Sequence, residues 1–202
     1  MNSKPSGAQA LILMLSSPSH GARYFPQLVD HFNASSHHAR NPPTWSQAYY
    51  INDTYWTKRQ PDQHPPVFLC VGGEGPPLDA SVVSHSVHCN HAVELLPTTN
   101  AILFAVEHRY YGCHNASACP YTASDPQPLR YLSSMQALAD LATFQAYATK
   151  EYSLAATNKW VTFGGSYPGM LASFARIEYP QLFHASISSS APVYAKLDMT
   201  EY

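Results

Sequence analysis

With 202 residues, 45% of them apolar and only 12% charged, the chain is long enough for one domain with a sizeable core. Its charged fraction falls well under the roughly 25% of an average soluble domain. A formal net charge of −2 leaves no basic footprint for a nucleic acid and no strong field to steer an ionic partner. No stretch reaches the ~18 apolar residues of a membrane span, and the 17 prolines speak for ordered loops rather than an all-helical protein.

At the start, Lys4 precedes the apolar run Ala10 to Leu15, which is followed by Ser16, Ser17, Pro18 and Ser19. A positive end, a short apolar stretch and small residues are the order of a signal peptide. Residues 1–19 are therefore read as a signal peptide or a disordered start, and 20–202 as the folded part. Residues 20–65, rich in Pro, His, Asn and aromatics, read as loops and short edge strands, with Tyr49-Tyr50-Ile51 as one such strand. Val67 to Val71 is apolar throughout and runs straight into Gly72-Gly73-Glu74-Gly75. That is the pattern of a strand buried on both faces and a sharp turn. Ala92 to Leu96 reads as a helical end closed by Pro97, and Ala101 to Val106 as a second buried strand ending in Glu107-His108-Arg109-Tyr110-Tyr111-Gly112.

Ser133 or Ser134 can cap a helix to about Tyr152, with Leu138, Leu141, Phe144 and Ala148 forming one apolar stripe. Trp160 to Phe163 reads as a third strand, Pro168 to Tyr179 as a helix ended by Pro180, and Ala185 to Ser188 as a fourth strand. Strands alternating with helices predict an α/β protein with a mostly parallel sheet.

Chemistry points to Phe163-Gly164-Gly165-Ser166-Tyr167-Pro168-Gly169, lying between a predicted strand and a predicted helix. This is the context of a nucleophile elbow, in which a crowded turn lifts a serine above the sheet edge and the next helix points its N-terminus at developing negative charge. The common pattern is G-x-S-x-G. Here Pro stands at 168 and Gly one place later at 169. An oxyanion hole needs a second donor from the loop after an earlier strand, and Gly73 in Gly72 to Gly75 is placed to supply it beside the Tyr167 backbone N–H.

Three N-x-S/T acceptors, at Asn33, Asn52 and Asn115, suit export. Four cysteines allow three pairings. Cys113 and Cys119 bracket a short loop and are the best local pair, while Cys70, inside an apolar run, reads as a small buried side chain. His85, His88, Cys89 and His91 lack a separated second ligand group and read as a solvated histidine-rich helix or loop rather than a metal site. No cofactor motif is present, neither a phosphate-binding loop nor a dinucleotide fingerprint.

Taken in order, Tyr24 to Asn33, Gly72 to Gly75, Glu107 to Gly112, Gly164 to Gly169 and Ser188 to Val193 resemble the serine peptidase family of lysosomal Pro-X carboxypeptidase, dipeptidyl-peptidase II and thymus-specific serine protease. The Gly-Gly-Glu-Gly spelling is nearest to the thymus-specific branch. That family writes its elbow G-x-S-Y-x-G, which makes Gly169 its normal place. The resemblance implies an α/β-hydrolase fold and a secreted or lysosomal/vacuolar glycoprotein. It also implies acyl-enzyme hydrolysis of a peptide substrate, often beside proline, with Ser166 as nucleophile. In the family, the triad's acid and base follow the serine after an inserted helical domain. The segment after Ser166 holds one histidine, His184, and one aspartate, Asp198, and neither sits in a matching motif. The chain is thus expected to be an N-terminal part of such a peptidase, of little activity alone. A lipase or esterase of the same fold, or a catalytically dead truncated product, are the alternatives. Glu107, His108 and Arg109 are expected to form a polar network at a strand end near the site.

Overall fold

The computed structural model describes residues 21–33, 42–56, 63–85, 88–122 and 124–200; the stretch read as a signal peptide or disordered start lies outside them. Six strands form one sheet: β1 (Arg23–Leu28), β2 (Thr44–Asn52), β3 (Val67–Val71), β4 (Ile102–Val106), β5 (Trp160–Gly165) and β6 (Ala185–Ser189). Three α-helices among the described residues accompany them: α1 (Asn90–Thr99), α2 (Ser134–Glu151) and α3 (Tyr167–Glu178). The strand order is β1-β2-β4-β3-β5-β6. The last four strands in that order run parallel, whereas β1, β2 and β4 pair antiparallel.

The apolar character of β3 and β4 follows from this arrangement. Every residue of both is buried, because helices cover both faces of the sheet centre. On one face, α2 and α3 pack Leu138, Leu141, Phe144, Leu171 and Ala175 against Leu69, Phe104 and Trp160. Phe144 is fully buried among the rings of Phe25, Tyr49 and Phe104, a contribution of about 1.5–3 kcal/mol from burial alone. On the other face, α1 brings Ala92 and Leu96 onto Phe68, Leu103 and Phe163. The Ser133 hydroxyl accepts from the Gln136 N–H at 3.2 Å and caps α2.

Three elements differ from the sequence reading. The strand at Tyr49 to Ile51 is part of the nine-residue β2, which lies inside the sheet between β1 and β4. Its polar Gln47 is buried because the side chain accepts from Gln27 Nε2 (2.9 Å) and donates to Glu107 O (2.7 Å). Pro97 does not close α1, which continues to Thr99. The hydroxyls of Thr98 and Thr99 both return to Leu95 O, at 3.0 and 2.7 Å, and tie down a turn that lacks the proline donor. Cys70 is buried, as its apolar run implied, but is also a disulfide partner: α1 packs its N-cap Cys89 onto β3, and the two are joined. A second disulfide joins Cys113 and Cys119.

Candidate active site

The chain leaves β3 toward α1 on one face and leaves the adjacent β5 toward α3 on the other. Neighbouring strands whose loops part to opposite faces open a crevice at their carboxyl ends, where α/β proteins bind ligands. The loop after β3 carries Gly72 to Gly75, and the turn after β5 carries Ser166. Both line one cleft of about 140 Å³, together with Pro168 and Glu74.

Ser166 is the residue between β5 and α3, with φ 57° and ψ −128°. A non-glycine residue held there is strained, at a cost on the order of 1–3 kcal/mol, and persists only where its surroundings impose it. The imposition is visible. Its N–H donates to Ser189 O at the end of β6 (2.9 Å), and its C=O accepts the first helical bond from Met170 N (3.0 Å). The side chain is exposed, at the N-terminus of a 12-residue helix whose partial positive charge faces the cleft.

The departure from G-x-S-x-G has a steric explanation. A Cβ on Gly164 would overlap the Pro168 carbonyl and come within 2.7 Å of Gly169 N, and one on Gly169 would approach Gly164 O at 2.9 Å. The strand and helix backbones therefore cross at 164 and 169. Pro168 gives the crossing only its backbone carbonyl; its ring points elsewhere and fills the space a Cβ on Gly73 would need. Pro168 is thus the contact between the elbow and the loop after β3.

Behind the cleft, Glu107, His108 and Arg109 lie buried at the end of β4. Arg109, fully buried, uses all five of its donors. Nε and one Nη2 hydrogen reach the two oxygens of Asp140 at 2.7 Å each, Nη1 reaches Val29 O and Tyr131 O, and Nη2 also reaches Leu28 O. Asp140 also meets His31 Nε2 at 2.8 Å. The His108 Nδ1 faces the Arg109 carbonyl at 2.7 Å. A carbonyl only accepts, so Nδ1 carries the proton and Nε2 is the acceptor for the Tyr167 hydroxyl at 3.0 Å. Burial pushes the His108 pKa down, which favours this neutral form, and pushes the Tyr167 phenol up to about 12, which keeps its proton. The Glu107 carboxylate accepts from the N–H groups of Leu78 (2.6 Å) and His108 (3.0 Å). Burial raises its pKa from 4.5 to about 7, against the lowering effect of those two hydrogen bonds.

Other candidates fall elsewhere. His184 precedes β6 level with Trp160, to whose carbonyl its N–H donates. Six residues of strand at about 3.3 Å each put it roughly 20 Å from Ser166. Asn33 and Asn115 are exposed, and Asn115 uses its Oδ1 to cap the turn at Ala116–Ala118. Asn52, the third acceptor, is by contrast buried, and its Nδ2 donates to Val83 O at 2.8 Å. His85, His88 and His91 are exposed, and no group of three or more metal-ligating side chains forms among the described residues. His88 also lines the cleft beside Ser166, a proximity that its loop-like sequence did not signal. No helix of the described residues is long and apolar enough to cross a membrane.

The parallel sheet, the strained serine between strand and helix and the loop facing it define an α/β-hydrolase. The likeness extends to solved structures: an esterase of Pyrococcus furiosus (12% identity, TM-score 0.51, 87% of this chain and 51% of that one) and an acylaminoacyl peptidase of Pyrococcus horikoshii (14%, 0.51, 86% and 23%) share the fold. The chain belongs to the serine carboxypeptidase S28 family, whose pattern matches residues 27–202. It is 37% identical over 179 residues to the thymus-specific serine protease of Homo sapiens, covering 89% of this chain and 31% of that protein. To the lysosomal Pro-X carboxypeptidase of Bos taurus it is 31% identical over 180 residues, covering 88% and 32%. The chain thus spans about a third of the length of the curated relatives it matches.

Proposed function

We propose that the chain supplies the nucleophile and oxyanion hole of a serine exopeptidase that cleaves peptides beside proline through an acyl-enzyme. Ser166 attacks the scissile carbonyl. The backbone N–H groups of Tyr167 and Gly73 receive the oxyanion that forms, the step at which such donors act most strongly. The observation that carries this reading is the backbone of Ser166: a strained serine at a strand-to-helix crossing, exposed beside the loop of Gly73. The relatives' names supply the substrate class.

The same reading places the protein in an oxidising lumen, lysosomal or vacuolar, or outside the cell. Two disulfides among the described residues support it, as do the exposed acceptors Asn33 and Asn115 and a relative named as lysosomal. The test is turnover of fluorogenic prolyl peptides by the intact gene product and by Ser166→Ala. The substitution should remove nearly all activity, a loss of several powers of ten. Undiminished turnover in Ser166→Ala defeats the proposal.

A further inference from the structure

Glu107 and His108 are adjacent in sequence, yet each side chain reaches a different half of the cleft. Glu107 sends its carboxylate under the loop after β3, where Oε2 accepts from Leu78 N at 2.6 Å. That loop begins at Gly72, whose N–H is held by Val106 O at 2.9 Å. The segment that carries Gly73 is therefore pinned at both ends to the same stretch of chain, Val106 and Glu107. His108 turns the other way, to the hydroxyl of Tyr167. Its imidazole is held in the accepting tautomer by the Arg109 carbonyl, and Arg109 is itself locked onto Asp140 of α2. The two half-sites meet where Pro168 packs on Gly73.

We infer that Glu107 and His108 are positioning residues that set the two oxyanion donors in register, Glu107 through the Gly73 loop and His108 through the Tyr167 side chain. The inference rests on the proposed role of Ser166 and deepens it. Backbone donors stabilise an oxyanion only when they sit about 2.7–3.1 Å from where it forms, and neither donor lies on an element that is rigid by itself. Gly73 is in a loop and Tyr167 is the first residue of a helix. Fixing both from one rigid strand end makes their separation independent of loop motion. Both groups act through another residue and neither contacts the reacting atoms.

The experiment uses the intact gene product with Glu107→Gln, Tyr167→Phe, His108→Phe and the pair His108→Phe/Tyr167→Phe. Tyr167→Phe removes one oxygen only and guards against a folding defect in the others. Fluorophosphonate labelling should map to Ser166 in every variant. For a prolyl peptide, kcat should fall about 10- to 100-fold in each single variant, less than the 10²–10³ of outright donor loss, with KM within about twofold. Affinity for a peptide boronic acid, whose adduct is tetrahedral and anionic, should fall by the same factor. The pair His108→Phe/Tyr167→Phe should be no worse than His108→Phe alone, since that change already removes the partner of the Tyr167 hydroxyl. Hydrogen exchange should rise across residues 72–78 in Glu107→Gln and stay unchanged there in Tyr167→Phe. Labelling away from Ser166 sinks the functional reading itself. Labelling at Ser166 with kcat, boronate affinity and exchange all unchanged in Glu107→Gln and Tyr167→Phe overturns this inference and leaves that reading standing.

Discussion

Replacing Glu107 by Gln should change how stability depends on pH. The carboxyl is almost wholly buried, and its pKa rises from 4.5 to about 7 on folding. Between those values the folded protein holds a proton that the unfolded chain has released. Stability must therefore fall as pH rises from about 4.5 to about 7, and level off above. At about 1.4 kcal/mol for each pH unit of that interval, the change is roughly 3 kcal/mol, as an order of magnitude. His108 acts oppositely: its pKa is lowered by burial, so its contribution weakens as pH falls below about 6.5. His114, whose Nε2 lies 3.9 Å from the Glu107 carboxylate, is common to both proteins. It loses that partner in Glu107→Gln, so the difference between wild type and variant reports the carboxyl together with this pair. Urea unfolding of both at pH 4.5, 6 and 7.5 measures it. Relative to the variant, wild type should lose about 3 kcal/mol across the range. A difference that stays constant with pH refutes the reasoning, as does one that grows in wild type's favour.

Three further outcomes follow from the same geometry. Gly164→Ala should destabilise by about 2 kcal/mol or more, since the added carbon meets backbone of Pro168 and Gly169 rather than a side chain free to move; thermal unfolding checks it, and an unchanged midpoint speaks against the crossing. Arg109→Met should cost on the order of 3–5 kcal/mol because it leaves Asp140 buried without its cation, with Arg109→Met/Asp140→Leu recovering part of the loss in urea unfolding. In a eukaryotic secretory host, Asn115→Gln should remove one glycan's mass on deglycosylation while Asn52→Gln changes nothing, because only the latter amide is buried and bonded.

How much was legible in the sequence depended on whether the signal was local. β3 and β4 declared themselves as unbroken apolar runs because burial on both faces leaves no alternation to obscure. The elbow was legible because strand, small residues, serine and helix follow one another without a gap. The extent of β2 was not legible, since Gln47 looks like a surface residue until Gln27 and the Glu107 carbonyl are brought to it. The Cys70–Cys89 disulfide was hidden likewise, because it needs α1 docked on β3. Pro97 misled because α1 runs on past it to Thr99 and is capped by Asn100 in the left-handed conformation. Around the cleft, the Glu107-His108-Arg109 stretch stood out by composition, but its partners Leu78, Tyr167 and Asp140 come from three other segments, and no spacing rule joins them.

The central claim is that Ser166 is the nucleophile, and mapping a fluorophosphonate adduct on the intact gene product tests it most directly. Peptide mass spectrometry should find the adduct on Ser166 and nowhere else, and Ser166→Ala should take up no label. An adduct on another serine, or a fully labelled and active Ser166→Ala protein, would contradict the account.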